Sequence, residues 1–251
     1  MGPLAWIAAG LGLWITALSF IYLVIVPRLR RGPGQDAFLG LCWWLLRIYG
    51  RVIHRVKATG LEHLPTTTHP GPLVVVANHT GSVDPLLISR FCPFMISWMM
   101  GDDLMFERMM PLWEKLRLIP VDRSGQSSIA FKSAIRKLRD DGVVGIFPEG
   151  RISLPRGEIR PFFDGVGGII ARGKADTLLV WIDGTPETSA IIPSLFGRSH
   201  ATVHFIEYIP YDGERNPSVI TERLRSKLLA ASGWTANEES MPLLLPGAGA
   251  F

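Results

Sequence analysis

A chain of 251 residues, 47% of them hydrophobic and eight of them tryptophan, has room for one α/β domain with an appendage but not for two full domains. The net charge is +4, yet residues 28–57 alone hold seven Lys or Arg against one Asp, so the rest of the chain is net acidic. That concentration excludes the domain-wide basic surface of a nucleic-acid binder. The two cysteines, Cys42 and Cys92, have no metal-ligand or disulfide-framework spacing and read as apolar fillers.

The first element is "LAWIAAGLGLWITALSFIYLVIV", residues 4–26, which carries no charged side chain. About 20 such residues span a bilayer core as a helix. The stretch lacks a basic start and a small-residue cleavage site, so it reads as a retained membrane helix rather than a secretory leader. Basic residues follow it and none precede it, which puts the C-terminal side at the cytoplasmic face of the inner membrane. A second helix, "AFLGLCWWLLRIYGRVIHRVK", begins apolar. It then sets Arg47, Arg51 and Arg55 four residues apart, in one stripe, beside Trp43, Trp44 and Tyr49. It is expected to lie in or along the bilayer surface with its arginines toward anionic headgroups. Residues 1–57 thus form N-terminal membrane-anchoring helices, 58–233 an α/β domain, and 234–251 a tail without a readable pattern.

Beyond a loop at 65–72, short apolar runs alternate with helical patterns. Strands are expected at "PLVVVANH", "FMISWMM", "RLIPVDR", "VVGIFPEG", "TLLVWIDG" and "ATVHFIEYIP". Helices are expected at "DPLLISRF", "LMFERMMPLWEKL", "SSIAFKSAIRKLRDDG", "DGVGGIIARGK" and "NPSVITERLRSKLLAASG". In the third of these Phe131, Ile135 and Leu138 recur at helical spacing before Gly142. The alternation predicts a mostly parallel sheet flanked by helices on both faces.

In such sheets, sites gather where strands end. "NHTGSVDP" leaves a buried strand and at once offers Asn78, His79, Gly81 and Asp84. Asp84-Pro85 resembles a helix N-cap with proline at the first helical position. A neutral histidine takes a proton from a hydroxyl, and a carboxylate on its other nitrogen fixes the tautomer. No G-x-S-x-G serine is present, so the attacking hydroxyl is expected to belong to the substrate. "GIFPEGRIS" breaks from another strand, with Pro148 and Gly150 setting a turn that presents Glu149 and Arg151. "IPVDRS" ends a further strand at Arg123. Two arginines and a glutamate beside a histidine–aspartate pair suit a substrate that carries both phosphate and hydroxyl. Backbone N–H groups near Gly81 or Gly150 are candidates to stabilise an oxyanion, and Trp98, Met99 and Met100 to line an apolar groove.

"NHTGSVDP", "IPVDR" and "FPEGRIS", in this order and separation, resemble the blocks of the glycerolipid acyltransferases, the 1-acyl-sn-glycerol-3-phosphate (lysophosphatidic acid) acyltransferase family, over residues 55–230. The resemblance implies His79 as general base and Asp84 as its partner. It implies that Arg123, Glu149, Gly150 and Arg151 hold the phosphorylated acceptor, with Asn78, Gly81 and Pro148 shaping the site. It further implies a lysophospholipid acceptor, an acyl-CoA or acyl-carrier-protein thioester as co-substrate, no bound cofactor and no metal. The third block departs from the usual F-P-E-G-T-R-S: Arg151 takes the threonine position and Ile152 the arginine position. Arg117 stands where glycine is usual, and Leu179 where proline is. "FPEGRI" followed by "FFDG" is closer to lysophosphatidylethanolamine-acylating enzymes, so that acceptor is an alternative. A non-catalytic lipid-binding protein and a thioester hydrolase are the readings from other classes.

Overall fold

The computed structural model describes residues 2–122, 128–154, 156–188 and 190–239. The chain falls into two compact units, Met1–Leu45 and Leu46–Phe251, and the division lies inside the third helix.

In the first unit α1 (Pro3–Phe20) widens into a looser turn at Ile21–Ile25 and continues as α2 (Val26–Leu29). The cause is Pro27: it has no N–H to give and would crowd the preceding turn of a regular helix. The wider winding, with Val26 N–H reaching back to the Ile21 carbonyl, accommodates it. Residues Trp6–Leu29 are long and apolar enough to cross a membrane, and none of the stretch is buried in the protein. After a tight turn, α3 (Ala37–Val52) starts at Asp36, whose side chain accepts the Leu39 N–H at 3.0 Å, the bond of a capping residue. Gly40 brings α3 against the end of α2: a Cβ there would stand 2.0 Å from the Leu29 carbonyl oxygen.

The second unit is built on a seven-stranded sheet. Its strands are β1 (Lys57–Thr59), β2 (Leu73–Ala77), β3 (Ile96–Gly101), β4 (Ile119–Val121), β5 (Val143–Ile146), β7 (Asp176–Asp183) and β8 (Thr202–Ile209), in the order β1-β8-β7-β2-β5-β3-β4. Every pairing is parallel except β7 with β8. The helices are α4 (Asp84–Ser89), α5 (Met110–Lys115), α6 (Ser128–Arg139), α7 (Gly165–Gly173), α8 (Ile191–Phe196) and α9 (Pro217–Ser232). The mostly parallel, helix-flanked sheet is the one the alternation predicts. Pairing adds what alternation does not reveal: β1 as an edge strand on β8, and β6 (Glu158–Ile159) with β9 (Thr235–Ala236) as a separate two-stranded ribbon. The ribbon gives the start of the tail a structured role.

β2 is the central strand, and all five of its residues are buried. Leu73, Val75 and Ala77 join one apolar layer with Val83, Leu87, Phe94 and Phe205. Val74 and Val76 join the opposite layer with Ala134, Leu138, Ile170 and Leu224. Alternate side chains of one strand thus supply two cores, as a strand covered on both faces requires. Because β5 runs parallel to β2, with Val76 beside Ile146, the segments after Ala77 and after Ile146 leave the same sheet edge.

A buried polar cluster ties the end of α3 to the segment around α8. Tyr49 donates its hydroxyl proton to the Leu195 carbonyl at 2.6 Å and accepts from His54 Nε2 at 2.8 Å. That leaves His54 Nδ1 as acceptor for Ser199 Oγ at 2.8 Å. Burial holds the fully covered His54 imidazole below the ordinary histidine range. As pH falls, the unfolded chain therefore takes up this proton before the folded one, and stability drains away. The melting temperature should fall between about pH 7.5 and 5.5, and His54→Gln should flatten that slope. Parallel melting curves for the two proteins would refute the assignment.

Candidate active site

The loop after β2 is organised by a carboxylate. Asp84 Oδ2 accepts hydrogen bonds from His79 Nδ1 at 3.0 Å, the Thr80 N–H at 2.6 Å and the Gly81 N–H at 2.9 Å. The Thr80 hydroxyl lies 3.4 Å from both carboxylate oxygens and 2.9 Å from Thr185 Oγ1. Asp84 is fully buried, while the His79 side chain keeps 15% of its surface. This differs from the expected N-cap. Val83 occupies the cap position and Asp84 is already helical, so its carboxylate turns back to the loop instead of capping α4. Since the carboxylate accepts, the imidazole donates from Nδ1 and its lone pair sits on Nε2. Nε2 has no bonded partner among the described residues. Asn78 holds the strand end: its amide donates to the Ile182 carbonyl at 2.9 Å and accepts the Ile182 N–H at 2.8 Å, extending the β2–β7 ladder by a side chain.

The imidazole also has a floor. Its ring stacks on Phe147 with centroids 4.1 Å apart and planes 15° from parallel, and Phe147 stacks in turn on Trp98 at 4.8 Å and 11°. Trp98 is fixed by donating Nε1–H to Ser89 Oγ at 2.9 Å. The indole lies over Gly145, where a Cβ would come within 2.3 Å of the ring. Trp98 is therefore buried support for the histidine and not the wall of an open groove. Phe147 and Gly145 were not anticipated. The signal was present in "VGIFPEG", a glycine alternating with a phenylalanine in an otherwise β-branched strand.

Glu149 secures the backbone on the other side of the histidine. Its Oε1 accepts the His79 N–H at 3.1 Å, and its Oε2 accepts Ser153 Oγ at 2.6 Å and the Arg160 N–H at 3.2 Å. Ser153 N–H returns a bond to the His79 carbonyl at 2.8 Å. Burial pushes the Glu149 carboxyl above the ordinary range, and these three donors pull against that shift. Both carboxylate oxygens are thus taken up within the chain. Gly150 needs its φ of +77°, and a Cβ there would meet the Phe163 ring at 2.6 Å. Pro148 is buried, and its carbonyl accepts the Phe163 N–H at 2.9 Å.

Of the backbone N–H groups near Gly81 and Gly150 expected to stabilise an oxyanion, those of the two glycines themselves are already bonded within the chain. Gly81 N–H is bound to Asp84, and Gly150 N–H donates to the Phe147 carbonyl at 3.0 Å. Arg151 is half-buried beside this turn and makes no hydrogen bond or ion pair among the described residues. Arg123 lies outside the described residues. A cation that the sequence reading passed over, Arg156, stands at the same loop cluster. It is 3.5 Å from Thr185 Oγ1, 3.7 Å from Asp183 Oδ1 and 3.6 Å from Glu187 Oε1. Among the described residues no cluster of three or more His, Cys, Asp or Glu forms a metal site.

The family model described as Acyltransferase matches residues 55–185, just over half of the chain and the whole stretch from the end of α3 through this loop cluster. The chain belongs to the acyltransferase family. The 1-acyl-sn-glycerol-3-phosphate acyltransferase of Bacillus subtilis (strain 168) is 28% identical over 111 residues, which is 41% of this chain and 54% of that relative. The match thus spans about half the length of the curated relative. The crystal structure of the 1-acyl-sn-glycerophosphate (LPA) acyltransferase PlsC from Thermotoga maritima aligns with a TM-score of 0.59 at 18% identity, covering 88% of this chain and 91% of that one. At that identity the likeness is one of fold.

Within this family member, the aromatic stack gives a direct test of packing. Gly145→Ala pushes a methyl group into the Trp98 ring and should destabilise by about 1–3 kcal/mol, the usual range for overpacking. Denaturant unfolding measures it, and a change below about 0.5 kcal/mol, the scale of a surface substitution, would show that the stack yields without cost.

Proposed function

We propose that the protein is a membrane-bound O-acyltransferase that moves a fatty acyl group from a thioester to the free hydroxyl of 1-acylglycerol-3-phosphate, giving phosphatidic acid. The observation that carries this reading is the His79–Asp84 pair, with Nδ1 bound and Nε2 unpartnered. Nε2 takes the acceptor's hydroxyl proton as the oxygen attacks the thioester carbonyl. When the tetrahedral intermediate collapses, the C–S bond breaks and the imidazolium returns the proton to the departing sulfur. Asp84 holds the ring and stabilises its charged form, and Phe147 adds its π face beneath it. Glu149 acts on the His79 backbone and not on the acceptor.

Arg151, Arg156 and Arg123 are the cations assigned to the acceptor phosphate. The donor is an acyl-CoA or an acyl-carrier-protein thioester, and the chemistry uses neither metal nor bound cofactor. The apolar helix Trp6–Leu29 supports a membrane location, with the α/β unit on the cytoplasmic side of the inner membrane by the distribution of basic residues.

One observation favours a second acceptor. Arg156 stands between the carboxylates of Asp183 and Glu187. That pairing of charges matches a zwitterionic phosphoethanolamine, with phosphodiester on the guanidinium and ammonium on a carboxylate.

Acyl transfer by the detergent-solubilised protein, offered labelled thioester with lysophosphatidic acid or lysophosphatidylethanolamine, decides between them. Product mainly from the monoester supports phosphatidic acid formation, and product mainly from the ethanolamine lipid supports remodelling. Thioester loss without any acceptor would make the protein a hydrolase. His79→Ala should lower turnover by about 10²- to 10⁴-fold, and substantial residual turnover would remove the base assignment. Phe147→Leu should lower kcat by about 10- to 100-fold through misplacement of the imidazole, with KM little changed. Phe147→Tyr should restore most of it, and equal rates for all three proteins would deny the stack a part in catalysis.

A further inference from the structure

Arg47, Gly50 and Arg51 stand at i, i+3 and i+4 of α3 and therefore share one face of the helix. Arg90, which closes α4, lies on that face. A Cβ at Gly50 would stand 2.9 Å from Arg90 Cδ and 3.3 Å from its Nη1, so only glycine lets the guanidinium settle there. Three arginines from two helices are thus gathered around a bare patch of backbone. The surroundings do little to neutralise Arg90 and Arg51. Arg90 rests on the Phe91 ring at 4.6 Å and reaches the Val56 carbonyl at 3.5 Å, while its Nε is buried without a hydrogen-bond partner. No carboxylate pairs with Arg90 or Arg51 among the described residues. Burial, and then the fields of Arg47 and Arg51, lower the Arg90 pKa, as expected for a cation crowded by its own kind.

A buried, unpaired donor beside like charges is costly and is relieved by an anion with several acceptor oxygens. On the same helix Ile48 and Val52 are 43% and 61% exposed, so the anion that sits here meets apolar surface beside the charge. We propose that Arg47, Arg51 and Arg90 form a binding site for the phosphate of an anionic phospholipid headgroup, separate from the loop of His79. The inference rests on the membrane-bound reading above. It gives the bilayer a hold on α4, the short helix that begins at Asp84 and is capped by Arg90.

The test is a titration of the full chain in neutral maltoside micelles with phosphatidylglycerol, phosphatidylcholine or inorganic phosphate, read by calorimetry. It measures binding without turnover, so its outcome is independent of whether acyl transfer occurs. Saturable binding of phosphatidylglycerol is expected, weakened about tenfold or more in Arg90→Gln and in Arg51→Gln, with phosphatidylcholine giving no such signal. Arg51 is exposed, so its variant folds independently of this contact, and melting curves check both. Inorganic phosphate that binds as tightly as the lipid would reassign the site to a soluble anion. Phosphatidylglycerol binding that is non-saturable, or unchanged in both variants, would overturn the proposal.

Discussion

The arrangement depends on a single oxygen. Asp84 Oδ2 sits in a fully buried carboxylate, and a charge taken out of water must be met by donors. The loop from His79 to Gly81 satisfies it by pointing two backbone N–H groups and one ring nitrogen inward. The sharp bend of the loop, the tautomer of the histidine and the direction of its free nitrogen all follow from that requirement. The Thr80 hydroxyl beside the carboxylate meets Thr185 Oγ1, and Ser194 Oγ accepts the Val83 N–H at 3.2 Å, so hydroxyls also pin the loop.

Two carboxylates work on one histidine by different routes. Asp84 holds the ring and Glu149 holds the main chain. The His79 N–H, its carbonyl, its Nδ1 and one ring face are each committed to a named neighbour. Of its polar atoms, only Nε2 has no bonded partner among the described residues. A side chain constrained on so many sides needs little reorganisation when a reacting group arrives, which is where positioned proton transfer gains over the same imidazole in water.

The sheet was legible because its physics is written in local pattern. A strand buried on both faces must be apolar throughout, as "LVVVA" is, and the helices carry their own period and breakers. The histidine–aspartate pair was legible because the four residues between His79 and Asp84 cannot separate the two groups far. Direction was not legible. Sequence gives Glu149 a charge but not the three donors that consume it, and it gives Asp84 a place beside the imidazole but not the two backbone N–H groups it also gathers. Trp98 reads in the sequence as a candidate groove lining and Phe147 is not singled out, since their stacking depends on the absence of a side chain on the neighbouring strand, at Gly145. β1, β6 and β9 are two or three residues long and carry no period at all.

The partners of the His79 loop also set an order of events as the chain is made. Asn78 waits for Ile182, Thr80 for Thr185 and Val83 for Ser194, partners 104 to 111 residues further along. The residues of this loop therefore emerge early from the ribosome and acquire their geometry late. Contacts of such long range form only after the intervening loop entropy has been overcome. A nascent chain arrested before β7 would carry the histidine–aspartate pair with the Phe147 stack and Glu149, but without the Ile182, Thr185 and Ser194 partners that pin the loop from the far side.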